Sequence, residues 1–357
     1  MNYTVVKIYE NKNYINEFLR LPKRLYDKKN IMQNDSDERS LIDGTHILSH
    51  YFDFYPMIVI DENKNTVSRC AVTIYPDDKT AYLGFFESEN NIQAVKLLFS
   101  EAEKLAAEKG AENIVGPVDA SFWIKYRMKI NKFDRPYTGE PYNLSYYPDL
   151  WKKCGYEEYE RYFSNRYKPV ENDSGCEKYS ERLSEKLKSG YTIKNVDKND
   201  FYKTLKEVYS LMIELYSGFL TYKPISENEF TQLFGYYKSI MKFNMVKMAY
   251  YDSKPVGFFI SIPNYHNIVY GHLSAFDYAK ILLNRTKPHS YVMLYMGVDG
   301  SHKGLGKALA ESIRIELKAE KVPSIGALIR RGNCNKNYFS NLIESEYEYV
   351  LLRKNLL

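Results

Sequence analysis

The stretch that decides the fold reads Val298-Asp299-Gly300-Ser301-His302-Lys303-Gly304-Leu305-Gly306-Lys307-Ala308-Leu309. The apolar run Tyr291–Val298 before it predicts a β-strand. Apolar residues recur every three or four positions after it, which predicts an amphipathic helix from about Leu305 to Glu320. A glycine-rich turn therefore joins a buried strand directly to a helix.

This turn has the properties of an anion site. The first N–H groups of a helix have no partner inside it, and their partial positive charge favours an anion. Gly304 and Gly306 lack β-carbons, so a phosphate group can approach the backbone closely. Lys303 and Lys307 add positive charge, so a pyrophosphate suits the turn better than a neutral ligand. A plain strand-to-helix turn is the alternative.

Two other phosphate-binding loops do not match this stretch. The Walker loop ends in Gly-Lys-Ser/Thr, whereas this turn has Gly306-Lys307-Ala308. The dinucleotide fingerprint needs a third glycine where Leu309 stands.

The turn resembles the pyrophosphate loop of the Gcn5-related N-acetyltransferase (GNAT) superfamily, which reads Gln/Arg-x-x-Gly-x-Gly/Ala. Gly304 and Gly306 match its small positions, and Ser301 stands where Gln or Arg is usual. The strand ending Met296-Gly297-Val298 and the order of elements over residues 190–357 also resemble the family. The resemblance implies binding of acetyl-CoA or another acyl-CoA, with no metal.

The two halves of the chain repeat one order of predicted strands and helices. Together with the resemblance, this repeat predicts an α/β fold with mixed sheets and two acyl-CoA N-acyltransferase-like domains in tandem. The predicted boundaries are 1–167, a linker at 168–189 and 190–357. In the first half a helix from about Ile92 to Lys109 follows three strands, and Tyr156–Tyr167 is expected to close the sheet. Ser88-Glu89-Asn90-Asn91 replaces the glycine turn there, so this half is interpreted as a degenerate copy.

In the second half, Glu346–Lys354 is the expected last strand, and Asn335–Ile343 is expected to form a short helix. On that helix the resemblance makes Tyr338 the catalytic acid that protonates the leaving thiolate. Tyr338 also belongs to a set of 35 tyrosines, so simple packing is the alternative. The predicted cofactor-binding residues are Met296, Val298, Ser301, His302, Lys303, Gly304, Leu305, Gly306, Lys307, Ala308 and Asn333.

The sequence does not identify the residue that acts as the general base. Asp299, His302, Glu214 and His272 are titratable groups near the loop or the expected acceptor cleft, and no pattern selects among them.

Asn333 either contacts the cofactor or caps the following helix. The insertion 121–150, which is rich in aromatic residues and contains Arg127 and Arg135, either covers the acceptor cleft or is an ordinary packed excursion. Residues 271–289 are a second candidate lining for that cleft.

Composition excludes several classes of protein. The 357 residues carry a formal net charge of +5, and the charges are interspersed, so no nucleic-acid stripe or membrane patch stands out. The four cysteines are scattered without ligand spacing, which argues against a metal site. No apolar signal core or membrane-length apolar run occurs, and a cytoplasmic location is expected.

These observations together predict an acyl-CoA-dependent N-acyltransferase, in the first instance an acetyltransferase, that modifies a primary amine of a small acceptor. A homodimer is compatible with the sequence. Two alternatives are a non-catalytic CoA-binding or scaffold protein on a GNAT frame, and a Fem-type aminoacyl transferase. The good pyrophosphate loop argues against the Fem type.

Overall fold

The computed structural model describes residues 2–271 and 273–356. The N-terminal half contains these strands and helices: β1 Thr4–Lys7, α1 Ile15–Leu25, α2 Asp35–Asp43, β2 Asp53–Ile60, β3 Thr66–Ile74, β4 Thr80–Ser88, α3 Ile92–Glu108, β5 Asn113–Gly116, β6 Val118–Asp119, β7 Lys125–Tyr126, β8 Met128–Lys129, α4 Tyr147–Lys153 and β9 Glu157–Tyr167. The predicted long helix and the predicted strand Tyr156–Tyr167 of this half are confirmed to within one residue at each end, and the three strands β2, β3 and β4 precede the helix as expected.

The remainder of the chain repeats the pattern with additional helices. Its elements are α5 Glu177–Lys188, β10 Thr192–Asn195, α6 Phe201–Leu215, α7 Glu227–Phe234, α8 Tyr237–Ile240, β11 Val246–Tyr251, β12 Lys254–Pro263, α9 Ala275–Thr286, β13 Tyr291–Val298, α10 Leu305–Glu320, β14 Ser324–Arg330 and β15 Ile343–Asn355. The predicted bounds of β13 and α10 are reproduced residue for residue. The mixed α/β class is therefore confirmed.

One continuous sheet runs through both halves. Its strand order is β1-β2-β3-β4-β5-β15-β9-β14-β13-β12-β11-β10, with β8 paired to β15. The pairing is antiparallel except for β4 with β5 and β13 with β14, which are parallel. Each parallel pair is connected by a helix, α3 in the first half and α10 in the second, as a parallel crossover requires.

The two closing strands are exchanged between the halves. The last strand, β15, pairs with β5 of the first half over Leu352–Gly116 to Asn355–Asn113. Strand β9 pairs with β14 of the second half over Ser324–Tyr167 to Arg330–Tyr162. The expectation that Tyr156–Tyr167 closes the N-terminal sheet by itself is therefore wrong. Strand alternation identifies a strand and its faces but carries no information about which strand lies beside it.

The hydrophobic core is shared between the two halves, as the exchanged strands require. One buried apolar cluster joins side chains of both halves, including Ile58 and Val115 of the first with Val246, Ile260 and Leu351 of the second. Because apolar burial contributes in proportion to area, neither half can be separated without exposing part of the shared core. The boundaries at 167 and 190 stay a prediction.

The expected helix Asn335–Ile343 is absent. Short 3₁₀ turns form at Cys334–Asn337 and Ser340–Leu342 instead, and Tyr338 between them has extended dihedral angles. Phe339 adopts a left-handed φ of 49°. Its N–H donates to the hydroxyl of Tyr179 at 3.0 Å, and the two rings lie 4.1 Å apart. A helix as short as Asn335–Ile343 has little intrinsic stability, so this packing decides the local conformation.

Candidate active site

Strands β13 and β14 diverge at their carboxyl ends. Their parallel ladder contains only the pairs Tyr291–Ser324, Val292–Ile325 and Met293–Gly326. Beyond these pairs β13 stays with β12, and β14 stays with β9, where Ile329 pairs with Phe163. The register of β12 against β13 shifts beside Leu294, which is a β-bulge. A wedge-shaped opening therefore lies in the middle of the sheet.

Two cavities meet at this opening. The first is enclosed by β13, β14, α10 and the segment that carries Tyr338, and its lining is mostly apolar. The second, of about 150 Å³, lies between the two halves of the chain. Residues Leu294–Met296, Ala327 and Ile329 line both cavities. The wedge thus connects a cleft beside the glycine turn with a cleft formed by both halves.

The glycine turn borders two residues of the first cavity, Met296 and Tyr338, although no residue of the turn itself lines that cavity. Gly304 is the N-cap residue of α10 with a left-handed φ of 83°, and no side chain caps this helix. A β-carbon on Gly306 would lie 3.2 Å from the hydroxyl oxygen of Tyr338 and 3.8 Å from Cε of Met296. The structure brings Gly306, Met296 and Tyr338 together, with Gly304 in the same turn. The uncapped N–H groups and the absent β-carbons leave room for an anion.

The Tyr338 side chain lines the first cavity and is partly buried. Its ring packs edge-on against Tyr179, with centroids 5.7 Å apart, and its hydroxyl lies 3.8 Å from Sγ of Cys334. Burial, with a smaller contribution from Cys334, raises the pKa of the Tyr338 hydroxyl above its ordinary value. The hydroxyl consequently stays protonated at neutral and moderately alkaline pH, as a proton donor must.

The other predicted loop residues have different surroundings. Ser301 is exposed, and its N–H and Oγ donate to Oδ1 of Asp299 at 2.9 and 2.8 Å. These hydrogen bonds lower the pKa of Asp299, so this carboxylate is a weak base and serves to fix the turn. His302 is turned toward Tyr191, whose hydroxyl lies 2.8 Å from its Nδ1. Leu305 and Ala308 have completely buried side chains, which leaves only their backbone for any ligand.

Lysine side chains supply the positive charge around the turn. Lys303 is exposed and Lys307 is partly exposed, and neither has an ion-pair partner in the described part of the chain. Val298 contributes its Cγ2 at 3.9 Å from the place of a Gly306 β-carbon. The charge near the turn is therefore available to an anionic group.

Two further residues at the site are not apparent from the sequence. A β-carbon on Gly304 would lie 3.0 Å from Cδ of Arg182, which belongs to α5 in the predicted linker. This arginine places a guanidinium beside the turn, where it pairs with Glu185 of the same helix at 2.8 Å. Asn335 lines both cavities, and its Oδ1 is buried without a hydrogen-bond partner. No local pattern marks either residue, because both are brought in by long-range packing.

The remaining predicted residues do not approach the turn in the same way. Asn333 is exposed, does not cap the 3₁₀ turn after it, and lines the second cavity rather than the first. Glu214 is exposed and lines neither cavity. His272 lies outside the described residues. Helix α9, in the segment expected to line the acceptor cleft, contributes no residue to either cavity.

The equivalent opening in the N-terminal half is closed. Strands β4 and β5 also diverge after a three-pair ladder, so Phe85 corresponds in position to Met296. The N–H of Phe85 donates to Oδ1 of Asp119 at 2.5 Å. A β-carbon on Gly84 would lie 1.9 Å from the carbonyl oxygen of Val118, so β6 fills the wedge. At the start of α3, the Asn91 side chain accepts hydrogen bonds from the N–H groups of Gln93 and Ala94.

Clusters of metal-binding side chains and membrane-spanning helices are both absent from the residues that the structure describes. Within residues 2–271 and 273–356, no group of three or more His, Cys, Asp or Glu side chains is placed to hold a metal ion. Across the same residues, no helix is both long enough and apolar enough to cross a membrane.

The sequence is similar to a curated protein of Escherichia coli. Protein YghO of Escherichia coli K12 is 23% identical over 213 residues, which cover 57% of this chain and 53% of YghO. The chain thus aligns with about half the length of that relative. No family model matches the sequence.

Solved structures with a similar fold cover the whole chain. A tandem GNAT protein from the clavulanic acid biosynthesis pathway aligns over 100% of this chain and 99% of its own, with a TM-score of 0.54 and 9% identity. A GCN5-related N-acetyltransferase from Anabaena variabilis covers 100% of this chain and 73% of its own, with a TM-score of 0.53 and 8% identity.

A third similar structure is the GCN5-related glucosamine N-acetyltransferase region of a fungal multi-domain GH3 β-N-acetylglucosaminidase. It covers 99% of this chain and 38% of its own, with a TM-score of 0.54 and 14% identity. At such low identity these likenesses establish the fold and leave the activity to be argued from the site. The chain has the tandem GNAT fold.

Proposed function

We propose that this chain is an acyl-CoA-dependent N-acyltransferase, with acetyl-CoA as the first donor to test and a small primary amine as the acceptor. One observation carries the proposal: the second half combines an open strand wedge, an uncapped glycine turn and the Tyr338 hydroxyl at Gly306. The first half has the same framework, but Asp119 and β6 close its wedge and Asn91 caps its helix. Acyl transfer is therefore assigned to the second half.

In this proposal the pyrophosphate of the donor binds the turn at Gly304 and Gly306. Backbone N–H groups at the start of α10 hold it, and Lys303 and Lys307, which are unpaired within the described part of the chain, neutralise its charge. The acyl arm enters the wedge along β13, where the backbone near Met296 is placed to stabilise the developing oxyanion. The Tyr338 hydroxyl then donates its proton to the leaving thiolate.

The acceptor amine is expected to enter from the second cavity. No Asp, Glu or His side chain lines that cavity in the described part of the chain. Because only a neutral amine attacks a thioester, the proton must leave through water or before binding. A CoA-binding protein without turnover is the alternative function, and the lack of a lining base favours it. Separate measurement of turnover and affinity in a Tyr338 variant decides between the two.

The pH dependence of the reaction is a direct consequence of this arrangement. We expect kcat/KM to rise with pH along the titration of the acceptor amine, without a plateau at about pH 6–7, where a histidine base would titrate. A proton donor loses activity above its own pKa, and burial raises the pKa of Tyr338 above the ordinary 10.0. We therefore expect no decrease of kcat/KM with rising pH until the pH exceeds the ordinary tyrosine pKa of 10.0. Thiol release measured from neutral pH upward tests both the rise and the fall of kcat/KM with pH. A fall of kcat/KM below the ordinary tyrosine pKa would contradict the assignment of Tyr338.

Binding of acetyl-CoA tests the proposed site directly. Gly306 and Gln93 are each the second residue of their helices, α10 and α3. We expect Gly306→Glu to abolish acetyl-CoA binding in calorimetry, because it puts a carboxylate and its β-carbon into the proposed anion site. Gln93→Glu adds the same charge at an exposed position of the capped helix and should leave the affinity unchanged.

The outcomes of this pair are separable. Absence of acetyl-CoA binding by the unmodified protein would refute the acetyl-CoA proposal, and longer acyl-CoAs would be titrated next. Equal loss in both variants would place the ligand elsewhere or indicate a general charge effect. Thermal melting of each variant excludes unfolding as the reason for lost binding.

A further inference from the structure

The second cavity is aromatic and basic. Its aromatic lining consists of Phe122, Trp123, Tyr126, Tyr216, Phe219, Phe234 and Tyr295. Its charged lining residues are Lys125, Arg127 and Arg330, and within residues 2–271 and 273–356 no acidic side chain lines it. An apolar cleft with only positive charges favours a ligand with an apolar body and an anionic group.

Two of these cations already have carboxylate partners. Lys125 Nζ lies 2.7 Å from Oδ2 of Asp119, and Arg330 Nη2 lies 2.7 Å from Oε2 of Glu160. Their charges are therefore largely compensated inside the protein. Arg127 differs, because no carboxylate lies within ion-pair distance of it in the described part of the chain.

The surroundings of Arg127 hold it in place without neutralising it. Its guanidinium carbon lies 3.7 Å from the ring centre of Tyr126 and 4.2 Å from that of Tyr162. Its Nη2 donates to the Tyr126 hydroxyl, while its Nε is buried and has no hydrogen-bond partner. The backbone at Arg127 has a left-handed φ of 91°, and its N–H donates to the Pro117 carbonyl oxygen at 3.0 Å.

This combination is costly unless a ligand completes it. A partly buried guanidinium without a counter-charge and with an unused donor loses hydration that one hydroxyl group and two aromatic rings replace only in part. The planar guanidinium offers paired N–H donors that match a carboxylate in two hydrogen bonds. Stacking on two aromatic rings orders the side chain before a ligand arrives, which lowers the entropic cost of binding.

We propose that the acceptor carries a carboxylate that binds Arg127, so that the acceptor class is an amino acid or related amino carboxylate with an apolar or aromatic side group. The carboxylate is held at Arg127, the side group packs on the aromatic lining, and the amine faces Leu294–Met296, which the two cavities share. The role of the amine rests on the proposed acyl transfer, whereas the carboxylate site does not.

Carboxylate binding is measured without any acyl-CoA. The probes are benzoate and 3-phenylpropionate with their matched amides, titrated by calorimetry at millimolar concentration. We expect the unmodified protein to bind at least one carboxylate about tenfold or more tighter than its amide, as a charged hydrogen-bonded pair provides. Arg127→Gln should remove this preference, and Arg127→Lys should restore only part of it, because an ammonium group cannot form the paired contact.

Arg331→Gln is the matched control. Arg331 is exposed, lines neither cavity and pairs with Glu158 at 3.4 Å, so its loss should leave the preference intact. Equal binding of carboxylate and amide, no binding of any probe, or an unchanged preference in Arg127→Gln would each overturn the proposal. Because the probes lack an amine and no donor is present, these outcomes are independent of the acetyl-CoA titration of Gly306→Glu.

Discussion

Replacing Tyr338 with phenylalanine should lower kcat for acyl transfer by about a hundredfold or more, which is the usual contribution of a positioned proton donor. The hydroxyl lies at the glycine turn, 3.2 Å from the place of a Gly306 β-carbon, and burial keeps its pKa high. Phenylalanine preserves the ring that packs against Tyr179, so the affinity for acetyl-CoA should change little. Steady-state thiol release gives kcat, and calorimetry gives the affinity.

A second tyrosine provides the control for this substitution. Tyr278 on α9 is 62% exposed and lines neither cavity, so Tyr278→Phe should leave kcat and affinity unchanged. If Tyr338→Phe kept most of kcat, another group or water would be the proton donor. Loss of affinity with an unchanged kcat would make Tyr338 a positioning residue for the donor. Binding without turnover in the unmodified protein, with every amine tested, would favour the CoA-binding alternative.

Lys129→Met should lower the free energy of unfolding by about 3–5 kcal/mol, since it leaves a buried carboxylate without its counter-charge. The Lys129 and Glu140 side chains are each 1% exposed, and Nζ lies 2.6 Å from Oε1. The Tyr349 hydroxyl donates to the same oxygen at 2.5 Å, which ties β15 to the first half. Urea unfolding of both proteins at neutral pH measures the difference.

Two further variants make this result specific. The double variant Lys129→Met/Glu140→Gln removes both charges and keeps an acceptor for Tyr349, so most of the lost stability should return. Lys79→Met removes an exposed pair whose nearest atoms are 3.8 Å apart, with side chains 70% and 56% exposed, and should cost less than about 1 kcal/mol. Equal small losses for Lys129→Met and Lys79→Met would show that the buried pair does not stabilise the shared sheet.

Much of the architecture can be predicted from local patterns. The apolar periodicity of β13 and α10 is uninterrupted, and Gly304 and Gly306 mark the turn between them, so this unit is predicted to the residue. Ser88-Glu89-Asn90-Asn91 before α3 contains no glycine, which predicts a helix start without the phosphate turn, and in the structure Asn91 caps this helix. The helix predicted for residues 335–343 is wrong because the conformation of this segment depends on packing of Phe339 against Tyr179, which lies 160 residues away in sequence.

The sequence by itself determined the glycine turn between β13 and α10, the identity of most strands and helices, and the repeat of one pattern in two halves. These properties depend on residues within a few positions of one another, and side-chain periodicity reports them directly. Only the tertiary structure decided that β9 and β15 are exchanged, that Asp119 closes the first wedge, and that Arg182 lies beside the turn. It also decided that Arg127 faces the second cavity without a carboxylate partner. Each of these depends on contacts between distant segments, whose partners no local period specifies.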